Sequence, residues 1–246
     1  MLNYVEYGKE NKYDDDIFFQ KYSQMSRSQQ GLAGAGEWET LRKLLPDFKD
    51  KRVLDLGCGY GWHCIYAMEH GASSVVGVDI SHKMLEVAKE KTHFPQVEYK
   101  CCAIEDVEFP EESFDVILSS LAFHYVADYE ILVKKIYRIL KSGGNLVFTA
   151  YGTQDWYYNE KGEILHFPVD NYYYEGKRTA VFLGEKVTKF HRTLTTYLNT
   201  LLSNGFIINH IVEPQPPENM MDIPGMRDEM RRPMMLIVSA NKKVDR

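Results

Sequence analysis

Long apolar runs, paired cysteines and a surplus of basic residues are what this chain lacks, and each absence removes a class of protein. No apolar run approaches the roughly 18 residues that a membrane span needs. The opening stretch, MLNYVEYGKENKYDDD, has no basic region followed by an apolar one, so no secretory signal is read and a cytoplasmic protein is expected. The four cysteines, at 58, 64, 101 and 102, form no CxxC pair, which suits neither a disulfide framework nor a zinc site. They are expected to be reduced and buried, and no metal is expected. A formal net charge of -6 weighs against a polyanionic partner such as nucleic acid. Only RDEMRR, with Arg227, Arg231 and Arg232, is locally basic, and acids interrupt it. No internal repeat or low-complexity tract is present.

What is there begins at Arg52. The segment RVLDLGCGYG is an apolar run that breaks into alternating glycines at Gly57, Gly59 and Gly61 and leads into an amphipathic stretch. That pattern describes a buried parallel strand, a tight turn and a helix N-terminus whose backbone N–H groups face a ligand. The next apolar run, SVVGVD, ends in Asp79. A carboxylate at that strand tip can take both hydroxyls of a ribose, so an adenosine cofactor is implied. A dinucleotide fold wants GxGxxG, and its third glycine falls here on Trp62. Asp55, just ahead of the glycines, would repel a pyrophosphate. It suits a cationic partner instead, such as the amino group of a methionine moiety reached directly or through water.

The rest of the chain alternates. Glu37 to Leu45 place Trp38, Leu41, Leu44 and Leu45 at helical spacing before Pro46. After the glycine turn, Ile65 and Met68 mark a helix closed by Gly71, and Ser81 caps another carrying Met84, Leu85 and Ala88. VEYKC (97–101), FDVILS (114–119) and NLVFTA (145–150) read as strands. Between the last two, Asp128 caps a helix that Gly143 and Gly144 stop. Such alternation means a parallel sheet with right-handed crossovers. From Tyr151 to Phe190 the period is lost among aromatics such as Trp156 and Phe167, which reads as a lid or substrate loop with short antiparallel strands. A helix over 192–204 and two final strands, an antiparallel last pair, complete the chain. Residues 1–36 read as a mobile N-terminal arm.

Taken together, DLGCGYG, VVGVD, FDVILSSLAFHY and LKSGGNLVFTAY resemble the class I methyltransferases that use S-adenosylmethionine, strongly over residues 37–150. The resemblance implies an α/β, Rossmann-like seven-stranded sheet of order 3-2-1-4-5-7-6 with strand 7 antiparallel and helices on both faces. It divides one domain of 246 residues into an N-terminal helical arm (1–36), a cofactor-binding core (37–150), a lid insertion after strand 5 (151–190) and the C-terminal part of the sheet (191–246). It further implies S-adenosyl-L-methionine as cofactor, S-adenosyl-L-homocysteine as product, and a monomer or homodimer acting on a small molecule by in-line displacement. By the same resemblance Asp55, Gly57, Cys58, Gly59 and Gly61 cradle the methionine and ribose part. Asp79 takes the ribose hydroxyls, and Ile80 and Met84 line the adenine. The family commonly carries an Asp after the third strand; Ala103 stands there, leaving Ala103, Ile104 or Glu105 to read the base, while Glu105 and Asp106 also fit a solvated helix start. Ser119, Ser120 and Leu121 approach the methionine moiety.

For the acceptor, His124 can act as a base near neutrality, orient the acceptor, or simply pack under the donor. His191, Tyr22 and Arg27 are further candidates, although the arm that carries the last two also fits an amphipathic helix capping the sheet edge. His166, Asp170, Tyr172, Glu175 and Arg178 populate the lid. A tRNA or protein methyltransferase, and a noncatalytic adenosine-binding module, are the alternatives. A dehydrogenase is disfavoured by the missing third glycine.

Overall fold

The computed structural model describes residues 9, 11–151, 157–158, 160–161, 164–166, 171–223, 226–231 and 234–244. Its centre is a seven-stranded sheet of β1 (Arg52–Leu56), β2 (Ser74–Asp79), β3 (Val97–Cys101), β4 (Phe114–Ser120), β5 (Leu140–Tyr151), β10 (Phe206–Val212) and β11 (Met235–Lys242). The order is β10-β11-β5-β4-β1-β2-β3, and β11 alone runs antiparallel to its neighbours. Counted along the sheet this is the expected 3-2-1-4-5-7-6 arrangement. The direction of travel reverses between β1 and β4, and ligands of open α/β sheets bind at the carboxyl ends of strands flanking such a point.

Strand periodicity divides the core. On one face, Leu54, Leu56, Val76, Val78, Ile117 and Phe148 pack against α6 (Tyr129–Ile139) and α7 (Leu194–Ser203). Their neighbours Val53, Val75, Val116, Leu118 and Val147 face the other way, onto α3 (Trp38–Leu41), α4 (Trp62–Glu69) and α5 (His82–Lys91). Burial on both faces explains why these strands read as near-continuous apolar runs. Two caps read from the sequence are in place: Asp128 accepts from Ile131 N and Ser81 from Met84 N. Thr193, one residue past the expected start of α7, is a third that the sequence reading did not name, accepting from Thr196 N.

The N-terminal arm departs from its expected mobility. It forms α1 (Asp16–Ser23), capped by Asp15, and α2 (Ser26–Gln29). Phe18 is fully buried with Ala180 and Val187 of a hairpin, β8 (Gly176–Phe182) and β9 (Glu185–His191). That hairpin turns on Leu183 and Gly184, both at positive φ as a two-residue turn of right-twisted strands requires. Asp14 is a second cap for α5, accepting from the Ser81 hydroxyl at 2.6 Å and the Lys83 amide at 3.1 Å. The arm is thus held at Asp14 and Phe18 by contacts far away in sequence.

Smaller corrections have local causes. α3 is one turn long, with Leu44 in the turn that follows and Leu45 beyond it. α4 buries Cys64 and Ala67 rather than Ile65 and Met68. α6 ends at Ile139, and β5 takes up Gly143 and Gly144 through an irregularity in its pairing with β4. Cys58 and Cys64 are buried, whereas Cys101 is exposed. Short antiparallel strands occur after β5 as expected, β6 (Tyr157–Tyr158) with β7 (Ile164–His166), then β8 with β9. Trp156, Phe167 and Asp170 lie outside the described residues. No helix among the described residues is long and apolar enough to cross a membrane.

Candidate cofactor site and acceptor cavity

The site starts where β1 ends. The amides of Gly57 and Cys58 both donate to Val78 O, at 2.8 and 2.9 Å, which lashes the glycine turn to β2. Gly57 has φ +77°, and a Cβ there would lie 2.4 Å from the Ala122 methyl. Above Gly59, at φ +52°, a Cβ would meet nothing within 4 Å: the turn is open on the side where a ligand would lie. Asp79 faces that opening. Its Oδ2 accepts from Gly59 N and its Oδ1 from Ser81 N, each at 2.9 Å, so two backbone donors fix the carboxylate. Burial raises its pKa, and those two bonds oppose the rise.

A cavity of about 470 Å³ extends from this turn. Gly57, Gly59, Asp79, Ile80, Met84, Ala103, Ile104 and Glu105 line one half, with Ser120 and Leu121 beside them. Glu105 faces the cavity, while Asp106 is exposed and pairs with Lys9, so the two acids divide between the readings the sequence left open. The other half is walled by Tyr13, Tyr22, Met25 and Arg27 from the arm, His124 and Tyr125 from the turn after β4, Phe182 and Lys189 from the hairpin, and Met226, Met234 and Met235 near the C-terminus.

Five sequence-derived candidates stand apart from this cavity. Ser119 is buried and its hydroxyl donates to Leu56 O at 2.8 Å, joining β4 to β1; strand alternation gives the cavity to Ser120 instead. His191 lies at the end of β9 with Nε2 donating to Tyr172 O at 2.8 Å, outside the cavity wall. Cys58 lines a smaller neighbouring cavity. Gly61 caps α4 at φ +75°. Asp55 sits behind the turn, 1% exposed; Oδ2 receives the Cys64 thiol at 3.5 Å, and Oδ1 has no partner among the described residues. In the lid, Glu175 caps α7 by accepting from Thr193 and Thr196, and Arg178 donates to the carbonyls of Asn171 and Tyr174.

His124 is also corrected. The turn holding it is gripped by Arg192, which donates to the carbonyls of Phe123, Val126 and Ala127. Burial, then the charges of Lys189 and Arg192, push the imidazole well below its ordinary pKa, so it stays neutral rather than titrating near pH 7. Tyr13 and Lys189 were missed, because only the tertiary fold brings Tyr13 to Tyr125 and Lys189 to His124. The Tyr13 and Tyr125 hydroxyls lie 3.2 Å apart.

Asp55 yields a prediction. Burial pushes its carboxyl up to about 7, the Cys64 bond opposing and the charge of Asp79 adding. The folded state therefore holds this proton more tightly than the unfolded chain, with its ordinary 3.8. The contribution to stability is full below about pH 4 and lost as pH rises through about 7. Asp55→Asn without ligand is expected to be about 2 kcal/mol more stable than the wild type at pH 8, about half of what the full shift implies because the new amide lacks partners of its own; the same penalty should leave it about 2 kcal/mol less stable near pH 4, the order of the two proteins reversing in between. Thermal unfolding of both proteins across this range is the check.

A glycine turn opening on a cavity, an acid at the adjacent strand tip and a reversed last strand define an α/β protein of the adenosine-cofactor kind. Residues 54–148 match a family profile described as a methyltransferase domain. A solved structure from Listeria monocytogenes, assigned as an S-adenosylmethionine-dependent methyltransferase, is 53% identical with TM-score 0.82, covering 87% of this chain and 99% of that one. An S-adenosylmethionine-dependent methyltransferase from Mesorhizobium loti is 39% identical with TM-score 0.78, covering 86% and 100%. A Haemophilus influenzae protein described as uncharacterized is 33% identical over 250 residues, 94% of this chain and 96% of its own. The chain belongs to the class I S-adenosylmethionine-dependent methyltransferases, and S-adenosylmethionine is its cofactor. The site fits it: there is open space over Gly59, a ribose-ready carboxylate, and an orphaned carboxylate oxygen behind the turn where a positive charge would be welcome.

Proposed function

We propose that the chain moves the methyl group of S-adenosylmethionine to a small-molecule acceptor by in-line displacement. The observation that carries this is a cavity continuous from Asp79 to a wall of tyrosines and methionines, lined by residues of the arm and the β8–β9 hairpin. A site roofed by two segments of its own chain admits a metabolite more readily than a folded macromolecule. The negative net charge supports the same reading against RNA.

When bound, the cofactor supplies an electrophilic methyl on a sulfonium, whose departure as a neutral thioether needs no covalent help. The chain's task is positioning and exclusion of water. Asp79 would hold the ribose, Ile80, Met84 and Ile104 the base, and the edges of Tyr13, Tyr22 and Tyr125 the acceptor. His124, kept neutral, can take a hydrogen bond from the acceptor and orient its lone pair.

The test is turnover of methyl-labelled S-adenosylmethionine by the whole protein against pools of metabolites, tRNA and protein. Label in a small molecule is expected. Label confined to RNA or protein would replace this reading with the macromolecular one, and saturable binding with no transfer to any pool would favour the noncatalytic module.

A further inference from the structure

The acceptor half of the main cavity contains a buried cation. Lys189 is 6% exposed, and its ammonium lies 5.6 Å from the centre of the Phe182 ring and 6.0 Å from that of Tyr125, both rings belonging to the same wall. Burying an ammonium is costly, and aromatic faces at that range offset only part of the cost. Strand pairing adds positive charge rather than relieving it, because Arg178 stands directly across the hairpin from Lys189, a like-charged pairing that sheets disfavour. In a chain of formal net charge -6, residues 176–192 set Lys177, Arg178, Lys186, Lys189 and Arg192 against one acid, Glu185. The other charged residues lining this half are Arg27, paired with Glu37, and Glu229, half-buried on the helical turn Met226–Glu229 beside the methionines.

The same charges govern protons. Lys189 and Arg192 both act on the His124 imidazole, which burial already holds neutral, so this histidine is a poor place to leave a proton. An acceptor that must shed one is therefore badly served here. An amine is disfavoured too, because its methylated form is a cation and would stand against Lys189. An oxygen that arrives ionised has no proton to lose, is drawn in by the hairpin's charge, and is neutral once methylated.

We propose that the acceptor is a small organic anion, a carboxylate or a phenolate, whose charged oxygen lies against the Lys189 ammonium. This assignment rests on the small-molecule reading above and narrows its attacking atom to oxygen. Lys189 becomes the residue that selects the acceptor, and His124 orients it through a hydrogen bond without carrying its proton.

Calorimetry on the full chain saturated with S-adenosylhomocysteine separates charge from shape, with benzoate, benzamide and benzylamine as probes. Wild type is expected to bind benzoate at least about 10-fold more tightly than benzamide, and benzylamine no better than benzamide, on the usual strength of charged hydrogen bonds. Lys189→Met, which keeps the volume and removes the charge, should erase the preference while S-adenosylhomocysteine affinity stays within about twofold of wild type. Should that variant fail to bind S-adenosylhomocysteine, Lys189→Gln carries the same comparison, and Lys189→Arg should keep most of the preference. For phenols the readout is the visible band of 4-nitrophenolate: bound to wild type, the phenol should ionise about one pH unit lower than in solution, and on Lys189→Met it should not. Preference for benzoate without the phenol shift assigns the acceptor to carboxylates, and the reverse assigns it to phenols. Benzylamine bound most tightly, neither signal in wild type, or signals untouched by the loss of the lysine charge overturns the assignment. Wild type that takes up no S-adenosylhomocysteine would instead remove the cofactor reading, and methyl label confined to RNA or protein would remove the small-molecule one.

Discussion

Replacing Asp79 by alanine is expected to weaken S-adenosylhomocysteine binding by about 100-fold or more, and 5′-methylthioadenosine binding by a similar factor. The reasoning runs from the two bonds that fix the carboxylate. Gly59 N and Ser81 N each donate to a different oxygen, so both oxygens are oriented and each keeps a lone pair for a ribose hydroxyl. A hydrogen bond to an ionised acceptor is worth about 1.5–3 kcal/mol, and two of them lost gives at least about 3 kcal/mol, which is more than 100-fold. The alanine also releases the Gly59 amide, loosening the turn over which the ligand lies. Asp79→Asn is expected to do little better, because an amide nitrogen would face one of two backbone N–H donors. Burial raises the carboxyl pKa, so wild-type affinity should fall as pH drops through that raised value, whereas the alanine variant should show no such component. Titration calorimetry at several pH values measures both effects. An affinity within about fivefold of wild type for Asp79→Ala would remove Asp79 from the site.

How much of this was legible in the chain follows from range. Gly57, Gly59 and Asp79 were readable because a turn that opens on a ligand and an acid at a strand tip are written in consecutive residues. The sheet order was readable because each strand–helix unit is local and its crossover hand is fixed. Ser119 was grouped with Ser120 and Leu121, although one step along a strand is a change of face. His191 and His124 were misjudged for a different reason: a histidine's role depends on burial and neighbouring charge, and Lys189 and Arg192 approach His124 from a hairpin more than 60 residues later. The arm was taken as mobile because its polar residues look solvated in isolation. Asp14 becomes a cap and Phe18 a core residue only once α5 and the hairpin stand beside them. Tyr13 was invisible for the same reason.

Gly61 shows how closely the cofactor turn is tied to the core, and its replacement is expected to cost stability rather than affinity. The residue sits at φ +75° at the start of α4, where a side chain costs about 1–2 kcal/mol in backbone strain. An added Cβ would also lie 2.2 Å from the Tyr99 hydroxyl, 3.0 Å from that ring's Cζ and 3.2 Å from the Ala88 methyl. Tyr99 cannot simply withdraw, because its hydroxyl is bonded to Thr92 at 2.7 Å and its ring lies over Gly77, where a Cβ would come within 2.7 Å. Overpacking of this kind adds about 1–3 kcal/mol. Gly61→Ala is therefore expected to lose about 3–4 kcal/mol, roughly 6–16 °C in melting temperature for a chain of this size. Removing the obstructing oxygen isolates the packing part. Gly61→Ala/Tyr99→Phe should be more stable than the sum of its two single variants predicts, by about 1 kcal/mol or more, since the two atoms that collide are never both present. The backbone part cannot be rescued from Tyr99 and should remain. Additive losses in this cycle would mean that α4 moves away from β3 to accept the methyl group, and the spacing between turn and helix would then be set by the sheet alone.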